Sequence, residues 1–276
     1  MKMFNKVVIF GTGLIGGSMG FALKRKGLSG QVIGLSLHRR NAELARKIGA
    51  IDRAGSSLEE AQDADLVILA APVEAIINIA PDLAKRLKKG CLVIDVASTK
   101  EKIVSRLSRL IPDFVGCHPL AGSEKKGISN AQVDIFAGSI CIITPAFNTK
   151  KTALNKAKSL WHKLGARILL MPAARHDRIL AFTSHLPHAV AFSLIGSIPD
   201  KFLKISSGGL ADTTRIAGSD ELLWSQIFLS NRKNLLSSIS SFQTKLASFK
   251  LALANKDRKR LIKTLAAARK KRGHLE

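Results

Sequence analysis

Short apolar runs alternate with amphipathic stretches from the start of the chain to about Pro172. Lys6 to Phe10, Gln31 to Leu35, Asp65 to Leu69, Cys91 to Val96 and Phe114 to Cys117 read as strands. Each is almost continuously apolar rather than alternating, a pattern a strand needs only when helices cover both faces of its sheet. Helical stretches lie between them, so a parallel sheet is expected. Ile140 to Pro145 and Arg167 to Met171 extend it, separated by an amphipathic helix from Lys150 to Leu164. Beyond Pro172 the strand signals stop. A helix is expected from Arg175 to Gly196, then a break at Ser197 to Asp200, a glycine loop at Ser206 to Gly209, and helices from Glu221 and Asn231 onward. The expected fold is an α/β Rossmann-type doubly wound sheet over residues 1–172, followed by an all-α helical domain over residues 173–276.

The first strand runs directly into Gly11-Thr12-Gly13-Leu14-Ile15-Gly16 and then a helix. The first glycine permits the tight turn, the second lets a pyrophosphate approach the backbone, and the third lets helix and strand pack closely; the helix N-terminus faces the phosphates. About twenty residues on, where a carboxylate would hold a ribose 2′-hydroxyl, stands Ser36, followed by Leu37-His38-Arg39-Arg40. A 2′-phosphate is repelled by a carboxylate and attracted by Arg39 or Arg40, so NADP is expected over NAD. Ala71 and Ser98 fall just past strand ends, on the cofactor side. Ser98 either caps the next helix or touches a reacting hydroxyl.

His118 ends the strand from Phe114, and Pro119, Gly122 and their neighbours turn the backbone away. Ligands of open α/β sheets sit outside the carboxyl ends of the strands, so this imidazole is a candidate proton acceptor in the cofactor cleft. In the helical part, Ser184, His185 and His188 interrupt an apolar helix; Ser184 and His188 share a face, and Pro187 is expected to kink it. Buried polar groups are costly unless paired, so these either bond one another or face a ligand. His176, His185 and His188 have no carboxylate at ligand spacing, and no metal is expected. Arg215 follows Asp212-Thr213-Thr214 in a nearly uncharged setting and either binds a carboxylate bidentately or pairs with Asp212.

The net charge of +24 raises nucleic acid as a partner, but the positive residues are spread along most helices, with one dense run from Lys256 to Arg272. Aromatic residues are only 5% and tyrosine is absent, which supplies single-strand binding poorly, so the charge is read as a solvated surface able to steer an anion. A nucleotide-sensing, nucleic-acid-binding protein is the competing reading from another class. Three cysteines without metal-ligand spacing suit reduced thiols and a cytoplasmic location, and neither an export signal nor an apolar run long enough to span a bilayer is expected.

Five blocks in order cover nearly the whole chain: Gly11 to Ser18, Asp95 to Lys100, His118 to Glu124, Ser184 to His188, and Asp212 to Ala217. Together they resemble the prephenate and arogenate dehydrogenase family of tyrosine biosynthesis. The resemblance implies a helical domain through which two subunits intertwine as a homodimer, and NAD(P)-dependent oxidative decarboxylation of prephenate, with arogenate as the alternative substrate. By the same resemblance His118 is the catalytic base and Ser98 orients the ring hydroxyl. Arg215 binds a substrate carboxylate; His176, Ser184 and His188 line the substrate cleft, with Ser123 set among the substrate-binding residues; Trp224 falls where an aromatic residue is common. Dehydrogenases of the β-hydroxyacid or imine-reducing kind share the architecture, but the block around His118 is hard to place in them.

Overall fold

The computed structural model describes residues 2–122 and 127–275. Its order is β1 (Phe4–Phe10), α1 (Leu14–Arg25), β2 (Ser29–Leu35), α2 (Arg39–Lys47), β3 (Arg53–Ala54), β4 (Leu66–Leu69), α3 (Val73–Ala84), β5 (Leu92–Asp95), α4 (Glu101–Leu110), β6 (Phe114–Pro119), β7 (Ile140–Thr144), α5 (Lys151–Lys163) and β8 (Arg167–Leu170). The strands form one sheet in the order β3-β2-β1-β4-β5-β6-β7-β8. Two cores result, as continuously apolar strands demand. Met19, Leu23, Ala45, Leu160 and Trp161 bring α1, α2 and α5 onto one face, while Ile76, Leu83, Ile103 and Leu107 bring α3 and α4 onto the other.

After β3 the chain crosses to the far side of β1, so the strand order reverses between β1 and β4. The crevice outside their carboxyl ends is where such sheets receive ligands, and the glycine turn opens there. All pairings from β3 to β6 are parallel, but β7 runs antiparallel to β6. This departs from the expected parallel sheet. A parallel return needs a covering crossover, usually a helix, and the only helical element described between β6 and β7 is a short 3-10 turn, Ile128–Asn130. Cys91, Cys117 and Cys141 are buried free thiols.

The helical part contains α6 (Ala173–Leu180), α7 (Leu186–Gly196), α8 (Asp200–Leu203), α9 (Gly208–Thr214) and α10 (Glu221–Ser230). Between α6 and α7, Ala181–His185 form one π turn. Pro187, expected as a kink, stands in the first turn of α7 just after it. A proline ring clashes with the preceding turn of a regular helix and removes one N–H bond; the wider π turn absorbs both effects. Residues 173–196 thus form a helical stretch of 24 residues, long and apolar enough by composition to cross a membrane, where no such run was expected. It packs instead on α4 and β7.

By packing, residues 1–231 form one compact unit and residues 232–276 another. Strands do give way to helices at the expected position near Pro172, yet the helices up to residue 231 belong with the sheet. The second unit holds α11 (Arg232–Ala254) and α12 (Arg258–Arg272), whose cations are exposed.

Candidate active site

Gly11 adopts φ +95°, and a Cβ there would fall 2.2 Å from the Ala70 carbonyl oxygen; one on Gly16 would fall 1.8 Å from the Gly11 oxygen. Both glycines are required by the chain's own packing. Gly13 is different, because a Cβ there would meet nothing within 4 Å. Its bareness leaves room for something other than the chain. Gly13 is also the N-cap of α1 and offers no side-chain cap, so the first N–H groups of that helix are open to an anion. Beside it, the buried Thr12 hydroxyl has no partner among the described residues. This cradle fits a dinucleotide pyrophosphate.

A cavity of about 270 Å³ begins at the cradle, bordered by Gly13, Leu14, Ile15, Ala71, Ser98 and Trp224. A second, of about 600 Å³, is bordered by His118, Ser98, Ser184, His188 and Arg215. Leu14, Ile15, Ser98 and Trp224 border both, so the two spaces adjoin. His118 and Arg215, far apart in sequence, therefore face one cavity beside the glycine turn. Ser36 is half-buried just beyond β2, and Arg39 and Arg40 are exposed on the first turn of α2, where Arg39 Nε lies 3.8 Å from Glu43.

Behind His118 stands a chain of polar groups. His118 Nδ1 is 2.8 Å from His176 Nε2, and His176 Nδ1 is 2.7 Å from Asp177 Oδ1. The Asp177 carboxylate also accepts the backbone N–H groups of Lys100 at 2.7 Å and Glu101 at 2.9 Å, capping the N-terminus of α4. Lys100 itself is fully buried and paired with Asp95, and the Asp95 carboxylate further accepts from the N–H groups of Ala97 and Cys117. Asn231 Nδ2 ties the Asp177 carbonyl at 2.7 Å to His185 Nδ1 at 3.1 Å.

Burial pushes all four imidazoles toward the neutral form. His118 lies well below the ordinary histidine range, because of burial first and then the nearby His176, Lys100 and His185. His176 is lowered by burial against the opposing pull of Asp177, and His185 falls to about 4, again through burial. In His188, burial outweighs the Nδ1–H bond it donates to the Ser184 carbonyl at 2.9 Å. Its ring lies against Trp224. A neutral His118, partly buried at the edge of the cavity, is a group that can accept a proton.

One expectation needs correction, and one of two alternatives is removed. His176, expected to line the cleft, is fully buried behind His118, because both its ring nitrogens are engaged within the protein. Ser98 does not cap α4: Asp177 performs that task from another helix, which leaves Ser98 on the cavity rim. Ser123 lies outside the described residues. Asp177, Lys100 and Asp95 join the site although the sequence assigns none of them a role there, Asp95 and Lys100 standing only as the ends of one resembling block. The only hint was the adjacency of Asp177 to His176, since the pairing with α4 spans elements far apart in the chain.

Residues 19–170 match a family described as prephenate dehydrogenase, nucleotide-binding domain, and residues 172–267 one described as prephenate dehydrogenase, dimerization domain. A prephenate dehydrogenase of Bacillus subtilis is 31% identical over 97% of this chain and 75% of its own length. A cyclohexadienyl dehydrogenase of Zymomonas mobilis is 32% identical over 99% of this chain and 96% of its own. Among solved structures, prephenate dehydrogenase from A. aeolicus in complex with hydroxyphenyl propionate and NAD+ superposes with a TM-score of 0.93 at 33% identity, covering 99% of this chain and 98% of that one.

Proposed function

The chain belongs to the prephenate dehydrogenase family, and from that premise we propose that it catalyses oxidative decarboxylation of prephenate to 4-hydroxyphenylpyruvate, with NADP preferred over NAD. The observation that carries this reading is the shared cavity, in which His118, Ser98 and Arg215 border one space with Leu14 and Ile15 of the glycine turn. Residues 1–172 supply the nucleotide cradle. Residues 173–276 supply Arg215, Ser184 and His188 and pair two copies of the chain.

Arg215 offers a planar fork suited to a carboxylate of the dianionic substrate. Ser98 orients the ring hydroxyl, and His118 accepts its proton as the carbon beneath is oxidised. The nicotinamide, when bound, supplies the hydride acceptor. As carbon dioxide leaves the opposite ring carbon, its bonding pair completes the aromatic ring and reaches the oxygen, to which His118 returns the proton. The imidazole ends as it began, neutral. Leu223, Trp224 and Ile227 border both cavities and keep this region apolar, which strengthens the charge interactions at the reacting centre.

The NADP preference is supported by Ser36 in place of a carboxylate and by Arg39 and Arg40 on the open first turn of α2. A spectrophotometric assay of prephenate and arogenate against NADP and NAD tests the whole reading. Turnover of prephenate with a higher kcat/KM for NADP is expected. A dominant arogenate activity would move the substrate assignment, and a dominant NAD activity would remove the roles given to Arg39 and Arg40.

A further inference from the structure

Hydrogen bonding dictates which nitrogen of each imidazole carries the proton. The Asp177 carboxylate can only accept, and it already accepts two backbone N–H groups of α4. Its third bond, at 2.7 Å, must therefore take the proton from His176 Nδ1. A neutral His176 with its proton on Nδ1 has a lone pair on Nε2, and Nε2 is the atom 2.8 Å from His118 Nδ1. His118 must then donate from Nδ1. The lone pair of its ring is left on Nε2, away from His176, in a residue that borders the larger cavity.

We propose that His176 and Asp177 are positioning residues that act through His118, holding it as the Nδ1–H tautomer with Nε2 ready to accept a proton from the cavity. The proposal deepens the reading above, in which His118 is the base. When Nε2 takes the substrate proton, the new positive charge is shared along the Nδ1–H bond to His176, whose own Nδ1–H rests on the Asp177 carboxylate. When Nε2 returns the proton, the chain of bonds relaxes unchanged, and no proton leaves the three residues. Anchoring Asp177 to the start of α4 fixes the far end of the chain on the sheet domain. Among the described residues, the other ionisable groups around His118 include Lys100 with Asp95 between β5 and α4, His185 in the π turn, Cys117 on β6, Cys141 on β7 and, bordering the same cavity, His188 and Arg215. None of these accepts the Nδ1 proton.

The test compares His176→Leu and His176→Gln with the parent, using nitrogen NMR of labelled histidine together with kinetics. In the parent, His118 is expected to show a protonated Nδ1 and a bare Nε2. Leucine removes the acceptor, so a population with the proton on Nε2 should appear and kcat should fall by up to about 10⁴-fold, the loss that a wrong tautomer causes in a serine protease triad. Cofactor affinity, measured by direct titration, should stay within about threefold, which separates this loss from general damage to the fold. Glutamine, whose carboxamide oxygen can take the place of Nε2 as acceptor, should restore the Nδ1–H tautomer and part of the rate. A parent His118 protonated on Nε2, or a leucine variant with parental kcat, overturns the proposal. Failure of the parent to turn over either substrate would defeat the functional reading instead, while the tautomer measurement would still stand.

Discussion

His188 lies flat on Trp224, with ring centroids 3.4 Å apart and planes 20° from parallel. Trp224 also borders both adjoining cavities, whereas the other tryptophan, Trp161, lies on α5 and is buried in the core. Binding of cofactor or substrate should therefore change tryptophan emission through Trp224 alone. The change is expected to persist in Trp161→Phe and to vanish in Trp224→Phe; survival in the latter would place the ligands elsewhere.

Replacing His118 with alanine should lower kcat by ~10²–10⁴-fold, the usual contribution of a general base, with cofactor affinity little changed. Because burial keeps His118 well below 6.5, the parent enzyme should show no loss of kcat from a protonated base until the pH is well under that value. A stopped assay across acid buffers checks it: an acid limb centred at or above 6.5 would contradict the buried, neutral imidazole.

The same histidines make the fold acid-sensitive. His118, His176, His185 and His188 all have folded-state values lowered from 6.5, so below that pH the unfolded chain binds protons that the folded chain refuses. Stability is complete above the unfolded value and declines as the pH falls through it, by up to about 1.4 kcal/mol per pH unit for each such group. For His185 the decline continues to about pH 4. Denaturant titrations between pH 7 and roughly 4.5 should show this loss, and replacing His185 with glutamine should make its slope shallower.

Lys100 and Asp95 have no exposed side-chain surface and meet each other as an ion pair. Lys100→Met should cost about 3–5 kcal/mol, because it strands a buried carboxylate. Adding Asp95→Asn to it should recover part of that loss, since the amide oxygen can keep accepting from Ala97 and Cys117. Equal stability of the single and double variants would show that the pair is not coupled.

Arg39→Ala with Arg40→Ala should raise the KM for NADP about tenfold or more and leave that for NAD nearly unchanged, as expected when charge-assisted contacts to one phosphate are lost. Parallel initial-rate measurements with the two cofactors decide it.

Much of this architecture was readable from residue order. Strands such as Val7 to Phe10 and Leu66 to Leu69 announce themselves because burial on both faces leaves no polar position, and the glycine turn shows the spacing a cradle needs. The candidates His118, Ser98, Ser184, His188 and Arg215 could likewise be named in advance. Other features were hidden. The reversal of β7 depends on a connection whose described residues form no helix longer than a short 3-10 turn, and the π turn before Pro187 depends on how a rigid ring is accommodated by its neighbours.

The sequence by itself determined the local events: where strands end, where glycine is obligatory, and which side chains can carry a proton or bind a carboxylate. Only the tertiary structure decided that His176 stands behind His118 rather than in the cleft, and that Asp177 closes the start of a helix 77 positions earlier in the chain. The physical reason is that a proton acceptor is defined by what occupies its other nitrogen. That partner is chosen by packing between distant elements, which no local pattern records.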